Sequence, residues 1–195
     1  MISTRPTWKV NLPMPLPPEE TIELYLKSIR DVPDFPKSGI VFKDITPFCA
    51  DPVAFRTFID DLTERCQEWK PDAIVAVDAR GFVFGGALAY QLGIGTVLVR
   101  KKGKLPANTI SADYALEYGT ATLEIHADAL KPGQRVVIID DLLATGGTIE
   151  ATLSLCRQLG AHAVGCAFLV ELSFLNGRAR LGDIPVYAPV TVEGE

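Results

Sequence analysis

The sequence has 195 residues, 48 % of them hydrophobic, and a net charge of −5. That length allows one domain with a core of its own, the apolar content excludes wholesale disorder, and the acidic balance provides no overall basic field to hold a nucleic acid. No apolar run reaches membrane-spanning length, the N-terminus lacks the apolar core of a signal peptide, and Cys49, Cys66, Cys156 and Cys166 fall in no metal-ligand spacing, so a cytoplasmic protein with structural cysteines is expected.

Residues 1–18 hold Pro6, Pro13, Pro15, Pro17 and Pro18 and read as an extended arm without chemistry, ahead of a single domain over 19–195. Ile22, Tyr25, Leu26 and Ile29 then recur at helical spacing behind a proline, which predicts a helix over about 18–30. The segment from Asp34 to Pro47 is apolar, framed by Pro, Gly and Asp, and too short for a helix. Its composition favours a loop with an extended stretch, packed on the core. Asp51-Pro52 supplies an N-cap and a proline at the first helical position. The following helix has the stripe Phe55, Phe58, Ile59, Leu62 and Cys66.

Ala73 to Val77 reads as a buried strand that delivers Asp78 at its C-terminal end, and Ala79-Arg80-Gly81 leads into an apolar helix closed by Gly93. A strand ending in Asp-x-Arg-Gly before a helix offers an anion site, although a plain Asp78–Arg80 salt bridge would account for the same residues. Ile94 to Val99 predicts another strand, which empties into Arg100-Lys101-Lys102-Gly103-Lys104, by itself a solvated basic loop. Tyr114 to Thr120 has a hairpin character, with Gly119 at the turn before an alternating strand from Thr120 to Ile125. Glu117 within it reads on its own as an exposed turn glutamate.

The most informative run is Val136 to Thr148. Val136-Val137-Ile138-Ile139 is short and β-branched, as a strand buried on both faces would be, and Ile149 to Leu159 has helical spacing ending at Gly160. The intervening loop joins a strand end to a helix N-terminus, where backbone N–H groups and the helix dipole favour an anion. Gly146-Gly147 removes the Cβ atoms that would block a phosphate's approach. Asp140 and Asp141 would repel that phosphate, but they can accept from the two vicinal hydroxyls of a ribose, so a sugar phosphate satisfies both halves. A Walker loop is excluded because no Lys follows the glycines, and a dinucleotide fingerprint because Gly-x-Gly-x-x-Gly is absent. Downstream, Ala163 to Val170 predicts a buried strand ending at Glu171-Leu172. Ser173 to Leu181 predicts a helical or turn segment, and Val186 to Ala188 a last strand.

The acidic pair followed by Thr145-Gly146-Gly147-Thr148 resembles the phosphoribosyl pyrophosphate (PRPP) motif of type I phosphoribosyltransferases. The phrases Phe35-Pro36, Gly39-Ile40-Val41-Phe42 and Asp44-Ile45, together with Leu116-Glu117-Tyr118-Gly119, are similar to segments of the adenine-specific members. The likeness covers roughly residues 22–190. It implies an α/β fold, a mostly parallel twisted sheet flanked by helices with a flexible flap over the site. It also implies a base slot in which the Val41 carbonyl and Lys43 N–H read the adenine edge, Phe42 stacks, and Leu172 lines the slot. Asp78, Ala79 and Arg80 become the pyrophosphate loop, with a non-proline cis peptide expected at Asp78-Ala79, where many members carry Ser in place of Ala79. Arg100, Lys101 and Lys104 become further pyrophosphate contacts, some reaching the neighbouring subunit of a homodimer. Asp140 and Asp141 hold the ribose, and Ala144, Thr145, Gly146, Gly147 and Thr148 hold the 5′-phosphate. Glu117 is the acid–base candidate at adenine N7, and Tyr118 a lid residue.

The reaction so implied is adenine plus PRPP giving AMP and pyrophosphate, with Mg²⁺ carried mainly by PRPP rather than by a protein cage, and without nucleic acid or membrane as a partner. Another purine base, or a non-catalytic PRPP sensor on the same fold, stays open, although a sensor needs a nucleic-acid-binding element that neither the charge nor any appended domain supplies.

Overall fold

The computed structural model describes residues 18–116 and 119–194. In chain order the elements are α1 (Pro18–Ser28), β1 (Arg30–Val32), β2 (Phe42–Asp44), α2 (Thr46–Ala50), α3 (Pro52–Trp69), β3 (Ala73–Val77), α4 (Gly81–Leu92), β4 (Gly95–Lys101), β5 (Thr109–Leu116), β6 (Gly119–His126), β7 (Arg135–Ile139), β8 (Leu142–Leu143), α5 (Gly147–Gln158), β9 (His162–Ala167), β10 (Val170–Leu172), β11 (Val186–Tyr187) and β12 (Val190–Val192). Two 3-10 turns, Ser173–Leu175 and Gly177–Leu181, lie between β10 and β11.

Seven strands form the main sheet in the order β11-β9-β7-β3-β4-β6-β5. Those from β11 to β4 run parallel, while β6 is antiparallel to both β4 and β5. Side chains alternate across the central strands, as the pleat requires. Ile74 and Ala76 of β3 with Val137 and Ile139 of β7 face a core shared with Tyr25, Phe48, Phe58, Leu62, Phe84 and Leu88. Val75, Val77, Val136 and Ile138 face the opposite core, against Ile149, Leu153 and Cys156 of α5. Helices therefore cover both faces, which explains why the β7 run is apolar without alternation. This is the α/β, mostly parallel architecture expected.

Asp51 caps α3, its carboxylate accepting from the N–H groups of Val53 and Ala54, and α4 ends at Gly93 in the left-handed region (φ +70°). Other elements differ from expectation. On α1, Tyr25 is fully buried and donates to Asp61 at 2.9 Å, which turns the Thr21–Tyr25 row inward and leaves Ile22 and Leu26 exposed despite their helical spacing. Within the 34–47 segment the expected extended stretch is β2, paired with β1 in an antiparallel ribbon through Val32↔Phe42, but the end of the segment is not a loop, because Thr46–Ala50 forms a helical turn. The strand expected over 163–170 divides at Phe168-Leu169. β9 stays in the main sheet, whereas β10 joins a separate parallel sheet with β8 and β12, both short strands that apolar periodicity does not reveal. Val186–Tyr187 is consequently not the last strand.

Cys66, Cys156 and Cys166 are buried, and burial pushes each thiol up to about 12, so at neutral pH they remain protonated core residues.

The core under α3 is aromatic, with the Phe58 ring edge-on to Tyr25, Phe48 and Phe84 at centroid distances of 5.8, 5.8 and 5.1 Å. Truncation there leaves a void bounded by rigid rings. Phe58→Ala should lower unfolding free energy in urea by about 3–5 kcal/mol, and a loss below about 1 kcal/mol would show that the cluster collapses around the gap.

Candidate active site

β7 and β3 lie side by side and parallel, so their C-terminal ends deliver Asp140-Asp141 and Asp78 to the same edge of the sheet. Beyond β7 the chain forms β8, turns at Gly146 (φ +82°), and starts α5 at Gly147. A cavity of about 190 Å³ opens there, lined by Arg80 and by every residue from Asp140 to Ile149. Ala144, Thr145, Gly146, Gly147 and Thr148 thus stand together around the helix N-terminus, where free N–H groups and the dipole favour a phosphate.

Asp141 is 4 % exposed, and its Oδ2 lies 2.7 Å from Arg80 Nε. The N–H is not aligned with that oxygen, so the contact is an ion pair without a hydrogen bond. Among the described residues Asp141 Oδ2 is the buried side-chain oxygen left without a hydrogen-bond donor. An orphaned acceptor of this kind in a polar cavity suits an incoming hydroxyl. Asp140 Oδ1 accepts from the Asp141 N–H at 2.9 Å. Burial holds both carboxyls above the usual carboxylate range. For Asp140 the neighbouring Asp141 charge adds to the shift, and for Asp141 the Arg80 guanidinium opposes it.

Arg80 also lies over the Phe42 ring, 5.3 Å from its centroid, so one side chain joins the phosphate cavity to the proposed base-stacking residue. Phe42 packs edge-on against Phe35 at 5.2 Å. Lys43 is the middle residue of β2 and Val41 immediately precedes that strand. The Lys43 ammonium is paired with Asp31 at 2.8 Å. Leu172 ends β10, one strand over from β8 in the loop.

The peptide between Asp78 and Ala79 is cis. Asp78 pairs with Arg100 at 3.1 Å, not with Arg80, so the simple Asp78–Arg80 salt bridge is not formed. Arg100 additionally donates to the Lys104 carbonyl at 3.2 Å. Lys101, at the end of β4, and Lys104, on the turn after it, are exposed and do not line the cavity. Glu117 and Tyr118 lie outside the described residues.

The sequence places Gly81 in the Asp-x-Arg-Gly pattern but does not show its role in packing. A Cβ there would lie 2.8 Å from the Ile139 carbonyl oxygen and 3.1 Å from Asp140 Oδ1, so its missing side chain admits the acid pair. Its place directly after Arg80 was the available signal.

Because the folded state raises both acidic pKa values, it binds protons that the unfolded chain releases. Stability therefore falls as pH rises from the ordinary carboxylate value through the raised one. Asp140→Asn keeps an acceptor for the Asp141 N–H and removes the buried ionisable group. It should raise the thermal midpoint at neutral pH and have less effect in mild acid; a lower midpoint at neutral pH would contradict this assignment.

Residues 54–186 match the phosphoribosyl transferase domain. Adenine phosphoribosyltransferase of Syntrophotalea carbinolica is 61 % identical over 153 residues, which cover 78 % of this chain and 90 % of that one. The crystal structure of adenine phosphoribosyltransferase from Thermoanaerobacter pseudethanolicus superposes with a TM-score of 0.85 at 52 % identity, covering 88 % of this chain and 99 % of its own. The Saccharomyces cerevisiae enzyme, solved with an imino-altritol bisphosphate and adenine, gives 0.83 at 39 % identity, over 88 % of this chain and 99 % of that one. The chain belongs to the adenine phosphoribosyltransferase family.

Proposed function

We propose that this protein transfers the phosphoribosyl group of PRPP to adenine, giving AMP and pyrophosphate in purine salvage. The observation that carries the reading is the single cavity in which the buried acid pair, the loop Ala144–Thr148 and Arg80 meet at the start of α5. The loop suits the 5′-phosphate, Asp140 and Asp141 the ribose hydroxyls, and Asp78, Ala79 and Arg80 the pyrophosphate, with Arg100, Lys101 and Lys104 adding positive charge beside it. Adenine would stack on Phe42 with Leu172 opposite, read by the Val41 carbonyl and the Lys43 N–H.

Mg²⁺ suits this donor set as an ion carried by the substrate. It would be carried mainly by PRPP, as the counter-charge that lets a polyanion approach Asp140 and Asp141, and the protein would orient it rather than cage it. Bound there, the ion supplies counter-charge to the pyrophosphate. The chain's own contribution is to hold ribose phosphate and base in line, with Arg80 opposing the negative charge that grows on the leaving group. Glu117 moves a proton at adenine N7, and Tyr118 closes over the reacting centre.

A homodimer accords with α4, which leaves Val83 and Tyr90 exposed on an apolar helix, Tyr90 at 81 %. We place the protein in the cytoplasm, in line with its buried free thiols and with the finding that no described helix is long and apolar enough to cross a membrane. The arm over 1–18 is assigned no chemistry.

Pyrophosphate release with PRPP, Mg²⁺ and a panel of free bases tests the reading. Release with adenine is expected, release only with another base would reassign the substrate, and none with any base would overturn the enzyme. Glu117→Gln should lower kcat by about 10²–10⁴, the span of a general acid–base, whereas an unchanged kcat would remove it from that role.

A further inference from the structure

The second 3-10 turn, Gly177–Leu181, stands behind the phosphate loop and contributes no residue to the lining of the cavity. Its contact with the loop is backbone on backbone. A Cβ on Gly146 would lie 2.5 Å from the Gly177 carbonyl oxygen, and a Cβ on Gly177 would drive into the Ala144 carbonyl and lie 3.0 Å from the Gly146 nitrogen. Gly177 is buried and its φ is outside the left-handed region, so close approach alone excludes a side chain there.

The turn is fastened to both ends of the loop. Arg178 grips the buried Glu171 with two N–H groups, Nε donating to Oε1 at 3.0 Å and Nη2 to Oε2, while Nη1 donates to the Val186 carbonyl at 3.3 Å. Glu171 sits on β10 directly opposite Leu143 of β8, the residue before Ala144. At the other end, Arg180 pairs with Glu150 in the first turn of α5 at 2.8 Å. Glu150 carries the one acidic charge in that first turn, and its partner offsets a charge that would oppose an incoming phosphate.

We infer that Gly177 and Arg178 are positioning residues for the Ala144–Thr148 loop, setting affinity for the phosphoribosyl ligand without touching it. The inference rests on the phosphoribosyl reading of the cavity and extends it to residues outside the cavity. A loop that binds through backbone N–H groups has no side-chain rotamers to adjust, so its geometry depends on what supports it from behind. The fork of Arg178 fixes that support in orientation as well as charge, which a lysine ammonium does only in part.

The test uses the full chain and two readouts. Calorimetric binding of ribose 5-phosphate to Gly177→Ala should weaken about 10–100-fold, the loss expected from misplacing binding groups by about 1 Å. KM for PRPP should rise in parallel while KM for adenine stays within about twofold, because uniform binding is lost on one substrate only. Arg178→Met should show the same split and Arg178→Lys an intermediate one, and these two serve equally if Gly177→Ala does not fold. Unchanged ribose 5-phosphate affinity in the folded variants, or equal rises in both KM values, would overturn the inference. Wild-type protein that binds ribose 5-phosphate but releases no pyrophosphate with adenine would instead overturn the proposed reaction and leave this role intact.

Discussion

The constraint on which the site depends is the burial of two adjacent carboxylates at the C-terminal end of β7. Such a pair is costly in a folded protein, because desolvation disfavours both charged forms and the Asp141 charge adds to the shift at Asp140. The surrounding fold supports it from several sides. β7 is fixed between β3 and β9, Gly81 leaves room for Asp140, and Arg80 brings a positive charge against Asp141. The two cores that close over the central strands set the strand ends in place before any ligand arrives. A stable scaffold here carries a locally unfavourable group, the usual mark of a site where stability is exchanged for binding.

Much of this was legible in the sequence. β7 announces itself by four β-branched residues because it is buried on both faces, and α3 by an Asp-Pro start and a full apolar stripe. The loop glycines beside the acid pair carry their chemistry in their order, so the cavity's composition followed directly. The misses have a common cause, namely pairing between segments too short for periodicity to register. β8 and β12 each hold two or three residues and exist because β10 lies between them. Likewise Ile22 and Leu26 have the right spacing for burial, but the hydroxyl of Tyr25, bonded to Asp61, fixes which row of α1 faces inward. Asp61 also accepts from Tyr187 at 2.9 Å, a long-range link that local pattern does not carry.

The pairing of charges was the least legible feature. Asp78 and Arg80 are close in sequence, yet each takes a different partner, Arg100 for one and Asp141 for the other. The reason is geometric: Asp78 sits where β3 ends and faces β4, whose residue Arg100 comes alongside. Arg80 has moved on to the N-cap position of α4 and points across to β7. Sequence proximity predicts a contact only when both side chains leave the chain on the same side.

Arg80 therefore occupies a position that no single subsite explains. It rests on the Phe42 ring and against Asp141, spanning the places proposed for base and ribose. The cation–π contact with the half-buried ring contributes about 0.5–2 kcal/mol, and the guanidinium, 44 % exposed, faces a buried carboxylate without an aligned hydrogen bond to it. A pyrophosphate offers the same guanidinium two charge-assisted hydrogen bonds, against which stands the loss of the cation beside the buried Asp141. Its departure would uncover both the Phe42 face and the orphaned Asp141 oxygen. It would also remove a cation that opposes the raised pKa of Asp141, a role that counter-charge brought by the ligand would take over. The places proposed for base and ribose are therefore coupled through one side chain, and whatever moves Arg80 alters both.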